Sequence, residues 1–252
     1  MTLKLAGRTA FVTGAGSGMG RAISRRFAAE GANVVAVDLN AETAAETAAA
    51  INAEGGASVS AGADVRDREQ VAAAVQVGLD AFGGYTTLVN NAGIFDNQAP
   101  LLETDDALWE RVIGVNLLSA YVVTKAVLPH IIAAGGGTVI STASVASFVA
   151  GSGGAAYTTS KHGILGFTKQ LALDYAPHNV RANAICPGAI DTGLTRPFWE
   201  ADPASLELFS AVPAKRVGEA DDIARLALFL ASDDSSFIYG TGVVIDGGFL
   251  LT

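Results

Sequence analysis

The sequence predicts an α/β fold: a doubly wound, seven-stranded parallel sheet with helices on both faces, in three α/β/α layers. Three observations predict it. Short β-branched or apolar runs alternate along the chain with longer stretches of helical spacing, and strands joined through helices pair in parallel, because a tight turn can only reverse the chain. Half of the 252 residues (50%) are apolar, enough to bury both faces of such a sheet. The 7 prolines and 29 glycines are too few for a disordered or collagen-like chain.

In chain order, the strands are read at Thr9–Val12, Asn33–Val37, Ala57–Ser60, Thr87–Val89, Thr138–Ile140, Val180–Ala184 and Val243–Ile245. Arg21–Glu30 continues from a glycine-rich turn with helical spacing. Ala41–Ala53 resembles low-complexity sequence, but alanine is the best helix former, so a helix is expected there. Asp105–Ile132 and Ala155–Tyr175 follow as long apolar-periodic helices. No Pro/Ser-rich linker divides residues 1–252, so one domain is expected. Its least regular stretch, 188–213, holds Pro197, Pro203 and Pro213 and is the expected substrate lid.

Charge narrows the function classes. The 16 basic against 25 acidic residues give −9, scattered along the chain, and such a surface repels phosphate backbones and anionic lipid. Neither a nucleic acid nor a membrane partner is expected. Met1–Arg8 has no signal-peptide character and no uninterrupted ~18-residue apolar span occurs. The single Cys186 cannot form an internal disulfide, which suits a reducing cytoplasm, and at the end of an apolar strand it reads as a small buried side chain. His130, His162 and His178 are too dispersed for a metal site. Lys215-Arg216 reads as a solvated pair before an anion clamp.

The first strand runs into Thr13-Gly-Ala-Gly-Ser-Gly-Met-Gly20 and then a helix. Glycines at 14, 16, 18 and 20 permit a tight turn and close backbone approach, leaving amides at the helix N-terminus to face a pyrophosphate, as in Rossmann-type folds. About 20 residues on, the second strand ends in Asp38, whose carboxylate can accept from both adenosine ribose hydroxyls and repels a 2′-phosphate. No Arg or Lys stands at Ser17, Leu39 or Asn40. NAD is therefore expected over NADP.

Tyr157 and Lys161 lie four residues apart, on one helix face. A phenol has a pKa near 10, and a neighbouring ammonium with an oxidised nicotinamide favours the phenolate, making Tyr157 a usable acid/base. Ser144, thirteen residues upstream, follows the fifth strand, where a hydroxyl can hold a substrate oxygen. Asn116 falls inside the predicted helix Asp105–Ile132, an unfavourable place for an amide.

These motifs, in order, resemble the short-chain dehydrogenase/reductases of the shorter type. The match runs through Thr13–Gly20, Asp64-Val65, Asn90-Asn-Ala-Gly93, Asn116, Ser144, Tyr157-Thr-Thr-Ser-Lys161, Pro187-Gly188, Thr192 and Asp246-Gly-Gly248. Thr142-Ala143 before Ser144 is a local difference, since the family often shows another serine there. The resemblance implies Tyr157 as acid/base, Ser144 as the hydroxyl positioning the substrate carbonyl, and Lys161 as the residue that lowers the tyrosine pKa and binds the nicotinamide ribose. It implies Asn116 as the holder of a relay water. For the cofactor it implies Gly14, Gly16, Ser17, Gly18, Met19 and Gly20 around the pyrophosphate, Asp38 and Leu39 at the ribose, and Asp64 and Val65 at the adenine. Asn90 with Asn91, Ala92 and Gly93 would hold the central strand and the other ribose. Pro187, Gly188, Ile190 and Thr192 would surround the nicotinamide, with Thr192 on its carboxamide.

The expected function is NAD-dependent interconversion of a secondary alcohol and a ketone. Phe95, Val145, Ala146, Ala189, Leu194, Phe198 and Trp199, beside Ser144 and Tyr157, form an apolar set that favours a hydrophobic or cyclic small-molecule substrate. A reductase of 3-oxoacyl groups on a carrier protein is the alternative, against which Asp38 and the negative charge speak. A non-catalytic dinucleotide-binding module is another, but it has no need of the Asn, Ser, Tyr and Lys together. The resemblance also implies a homotetramer. Ile164, Leu165, Phe167, Leu171 and Leu173 spread wider than one helix face needs, and the chain ends in the bulky Phe249-Leu-Leu251.

Overall fold

Seven strands, all parallel, form the sheet of the computed structural model, which describes residues 3–201, 207 and 211–251. They are β1 (Thr9–Thr13), β2 (Asn33–Asp38), β3 (Ala57–Gly62), β4 (Thr87–Asn90), β5 (Gly137–Thr142), β6 (Val180–Pro187) and, after two short strands given below, β9 (Gly242–Ile245). Their order is β3-β2-β1-β4-β5-β6-β9, so the chain winds outward from β1, returns, and winds outward again. The reversal between β1 and β4 opens a crevice above the carboxyl ends of these two strands, where ligands bind in open α/β sheets.

Alternation within the strands builds two cores. Ala10, Val12, Val34, Ala36 and Ile140 pack on one face with α1 (Gly18–Ala29) and α8 (Ala220–Ala231). Their neighbours Phe11, Val35, Val37 and Val139 pack on the other with α3 (Arg68–Phe82), α5 (Ser119–Ala133) and part of α6 (Ala155–Tyr175). This is the period of two expected of a sheet covered on both sides. The alanine-rich stretch is helix α2 (Ala41–Ala53), with Asn40 as its N-cap accepting from Glu42 N (3.0 Å) and Thr43 N (3.3 Å).

The stretch read as one helix at 105–132 is not a regular α-helix. It is α4 (Asp106–Ile113), one π-helical turn at Gly114–Leu118, and then α5. Ser119 N reaches back to Gly114 O, an i→i+5 bond, and the wider turn carries Asn116. The run Asp106–Ala133 is long and apolar enough to cross a membrane by composition, but 56% of its most apolar window is buried inside the fold.

Two residues of β7 (Ile190–Asp191) pair in parallel with β8 (Gly218–Glu219), a ladder too short to read from sequence. It brings together the two ends of residues 190–219, which hold most of the expected lid. Within that segment α7 spans Arg196–Ala201, and 202–206 with 208–210, including Pro203, lie outside the described residues.

Candidate active site

A cleft of about 370 Å³ opens above β1, β4, β5 and β6, within the range of cofactor and ligand pockets. The Gly14–Gly20 turn forms its floor. Gly14 has φ +64°, and a side chain there would approach Asn91 Nδ2 to 2.9 Å, while one at Gly20 would come within 2.0 Å of Gly14 O. Only glycine fits both positions. Asn91 stitches this turn to the sheet: its Nδ2 donates to Thr13 O (3.1 Å) and its Oδ1 accepts from Thr142 Oγ1 (3.3 Å). Gly14, Ser17, Gly18 and Met19 line the cleft. Gly16 and Gly20, expected in the cofactor site, do not line it; Gly16 packs against Thr43 and Asp38, and Gly20 against Gly14. They shape the turn from behind. Helix α1 begins here with no side-chain cap and no acidic residue in its first turn, so its free amides and dipole face the cleft, a fit for a pyrophosphate.

At the far end, Asp38 Oδ2 accepts from Gly16 N (2.9 Å) and Oδ1 from Asn40 N (3.0 Å). Leu39 is largely exposed at the rim. Asp64 and Val65 line the cleft as expected, and Asp64 chelates Arg66, whose guanidinium holds that carboxyl below the usual range. Sequence reading missed two arginines at this end of the molecule, one in the cleft wall and one behind the glycine turn. Arg66 lines the cleft and is paired with Asp64, and Arg21 donates to Gly16 O (2.5 Å) and Glu46 (3.1 Å). Both are engaged by partners of their own.

At the inner end, Lys161 is buried (4% exposed) and its Nζ donates to Thr142 O (2.8 Å) while lying 5.4 Å from the Tyr157 ring centroid. Burial brings the ammonium down to about 8. For Tyr157 burial acts in the opposite direction. Burial raises its pKa, the Ser144 hydroxyl works against that, and the Asp96 carboxylate adds to it. Ser144 accepts from Ala146 N (3.1 Å) through Oγ.

Asn116 was expected to hold a relay water. Its side chain clamps the strand exit: Oδ1 accepts from Ile94 N (2.8 Å), and Nδ2 donates to Ile94 O (3.0 Å) and Ser160 Oγ (3.2 Å). Asn90 Nδ2 donates to Thr124 Oγ1 (2.9 Å), tying β4 to α5. Ala92, Gly93, Pro187, Gly188, Ile190 and Thr192 all border the cleft.

A smaller cavity of about 90 Å³ adjoins Tyr157 and Ser144. Of the expected substrate residues it contains Phe95, Val145, Ala189, Leu194, Phe198 and Trp199. Ala146 is not among them; it is fully buried and serves only as a donor to Ser144. Gln98, Ser152, Thr195 and Phe249 also line it. Phe249 arrives because Asp246 accepts from Gly248 N (2.8 Å) and Leu250 N (2.9 Å), folding the tail inward. Elsewhere, Cys186 is buried and its thiol is pushed up to about 11, an inert state. His162 is turned to Thr158 O (3.0 Å), and Arg216 pairs with Asp222.

A family model described as enoyl-(acyl carrier protein) reductase matches residues 14–250. The 2-(R)-hydroxypropyl-CoM dehydrogenase of Xanthobacter autotrophicus is 41% identical over 247 residues, covering 96% of this chain and 98% of that protein. The chain belongs to the short-chain dehydrogenase/reductase family. The 3beta-hydroxysteroid dehydrogenase 2 of Eggerthella lenta is 39% identical over 249 residues, with 97% and 95% covered. A solved structure from Beutenbergia cavernae, described as an NAD(P)-dependent gluconate 5-dehydrogenase with NADP at low occupancy, superposes with TM-score 0.92 at 37% identity, covering 100% of both chains. This short-chain dehydrogenase/reductase is accordingly an oxidoreductase acting on CH–OH groups, of a family that binds nicotinamide dinucleotides.

Proposed function

We propose that the protein is an NAD-dependent oxidoreductase interconverting a hydrophobic or cyclic secondary alcohol and its ketone. The convergence of Tyr157, Ser144 and Lys161 where the large cleft meets the apolar cavity carries this reading. A nicotinamide dinucleotide bound in the cleft supplies the hydride donor or acceptor. Tyr157 gives its proton to the carbonyl oxygen, or takes one from the alcohol. Ser144 holds that oxygen beside the phenol, and Lys161 stabilises the phenolate and a cofactor ribose. Asn116 acts by holding the Ile94 backbone. The hydroxysteroid named for one relative supports a cyclic substrate. A panel of cyclic and open-chain alcohols, ranked by kcat/KM, tests this, and a preference for polyhydroxylated sugars would reject it.

Carrier-protein reduction is the competing reading, favoured by the description of the matching family model. The −9 charge opposes it, because carrier proteins are docked through basic surfaces.

NAD preference rests on Asp38, whose carboxylate faces the adenosine end already oriented by Gly16 N and Asn40 N. Asp38→Ser with Leu39→Arg should raise the NADP/NAD ratio of kcat/KM by about 10²-fold, since a repulsive charge is exchanged for an attractive one. A wild type that already prefers NADP overturns the argument.

We further propose a cytoplasmic homotetramer. Leu173 on α6, and Phe237, Tyr239, Val244 and Leu251 beside the edge strand β9, are exposed apolar side chains, and two self-complementary surfaces close a D₂ assembly. Light scattering should give about four times the 25.6 kDa chain mass. A monomer across dilution rejects the assembly, and a dimer shows that only one surface is used.

A further inference from the structure

We propose that Asp96 is a positioning residue of the active site: its carboxylate fastens the first turn of α6 to the loop carrying Phe95 and Gln98, and so sets the Tyr157 phenol against the aromatic wall of the substrate cavity. Asp96 is 1% exposed, and among the described residues no Lys or Arg pairs with it. A carboxylate so buried persists only where hydrogen bonds replace its water. Three backbone amides do so: Oδ1 accepts from Gly154 N (2.8 Å) and Gln98 N (3.2 Å), and Oδ2 from Tyr157 N (2.8 Å).

The need for this contact arises in α6 itself. Its N-cap is Gly154, which has no side chain to satisfy the first-turn amides. Helices α2, α3 and α4 are capped by their own Asn40, Asp67 and Asp105. Asp96 performs that task for α6 from 58 residues away in sequence. There is little slack at the junction, since a side chain on Gly154 would meet Ala99 O at 2.4 Å. The loop is also held in a conformation that side chains disfavour. Asn97 and Gln98 have φ +53° and +58°, consecutive left-handed residues that persist where surrounding contacts enforce them. Phe95 then stands edge-on to Tyr157 (ring centroids 5.0 Å apart) and to Phe198 (6.2 Å), while Gln98 lines the same cavity. The tyrosine is thus tied to this loop at both its backbone and its ring.

The proposal rests on Tyr157 as the acid/base. The titratable and charged groups that face the phenol are Lys161 on its own helix, 5.4 Å from the ring centroid, and Asp96 from the loop, beside the Ser144 hydroxyl from the exit of β5, with the Cys186 thiol of β6 next to Lys161. The Asp96 charge opposes phenolate formation.

Asp96→Asn keeps the shape but removes the charge and sets an NH₂ against amide donors. It should lower kcat/KM by about 10- to 100-fold, as small misplacements of a reacting group do. The phenol-controlled midpoint of the pH–kcat/KM profile should move to lower pH, a shift that a purely structural brace would not produce. Calorimetric NAD⁺ affinity should stay within about twofold, because the dinucleotide cradle is built elsewhere. Amide hydrogen exchange at Gly154 and Tyr157 should accelerate. Unchanged exchange at those amides, kcat/KM within about threefold of wild type, or an unmoved midpoint would each overturn the proposal. A wild type that turns over no alcohol or ketone sinks the Tyr157 reading instead, and exchange still decides whether Asp96 is the fastening. Asp96→Ser, which retains an uncharged acceptor, carries the same measurements should the Asn variant not fold.

Discussion

Tyr157→Phe is expected to reduce kcat by about 10²–10⁴-fold while NAD⁺ affinity stays within about twofold of wild type, the range by which positioned acid/base groups accelerate proton transfer. The substitution removes one oxygen. The ring keeps its edge-on contact with Phe95 at 5.0 Å and the helix keeps its Asp96 cap, so the cavity wall stays in place. Substrate and cofactor then meet with no group to move the proton. Initial rates together with calorimetric NAD⁺ binding check this, and retention of more than about a tenth of the wild-type rate contradicts acid/base catalysis by the phenol.

Lys161→Met should bring the second largest loss, with both turnover and NAD⁺ affinity falling by about 10²-fold, because one ammonium serves the phenolate and a ribose. The same variant tests burial of the charge. Lys161 is pushed down to about 8 by burial. Below that pH the folded and unfolded chains both hold its proton, and the desolvation penalty of the buried ammonium is fully present. Between about 8 and the unfolded value near 10.4 the unfolded chain binds a proton that the folded chain has released, so this group's contribution to stability rises with pH. In the absence of cofactor, wild type should therefore gain on Lys161→Met by up to roughly 1.4 kcal/mol per pH unit through that window in denaturant unfolding. Parallel stability curves from pH 8 upward would show that the ammonium is not desolvated.

The sheet was legible because each strand is an apolar run and each crossover a helix-length stretch, and all seven expected strands pair in parallel. Gly14, Asp38, Ser144, Tyr157 and Lys161 were legible because their spacing reflects local turns and one helix face. What escaped depends on contacts between distant segments. The π turn at 114–118 has no compositional mark; it accompanies the double hydrogen bond of Asn116 to the Ile94 backbone. Asp96 looks like any loop carboxylate until Gly154, 58 residues on, proves unable to cap its own helix. Phe249 reached the cavity only because Asp246 turns the tail. The effect of burial on Tyr157 was hidden for a similar reason. Linear spacing displays the ammonium at Lys161, but desolvation, the larger effect, belongs to the packed surroundings.

Formation of reduced nicotinamide from NAD⁺ and a panel of secondary alcohols, followed by absorbance for wild type beside Tyr157→Phe and Ser144→Ala, tests the central claim most directly. Wild type should form reduced cofactor with at least one apolar or cyclic alcohol, and both variants should bind NAD⁺ yet fall by at least about 10²-fold in rate. A wild-type protein that binds NAD⁺ but turns over no alcohol, or variants that turn over as fast as wild type, would contradict an alcohol/ketone oxidoreductase working through Tyr157 and Ser144.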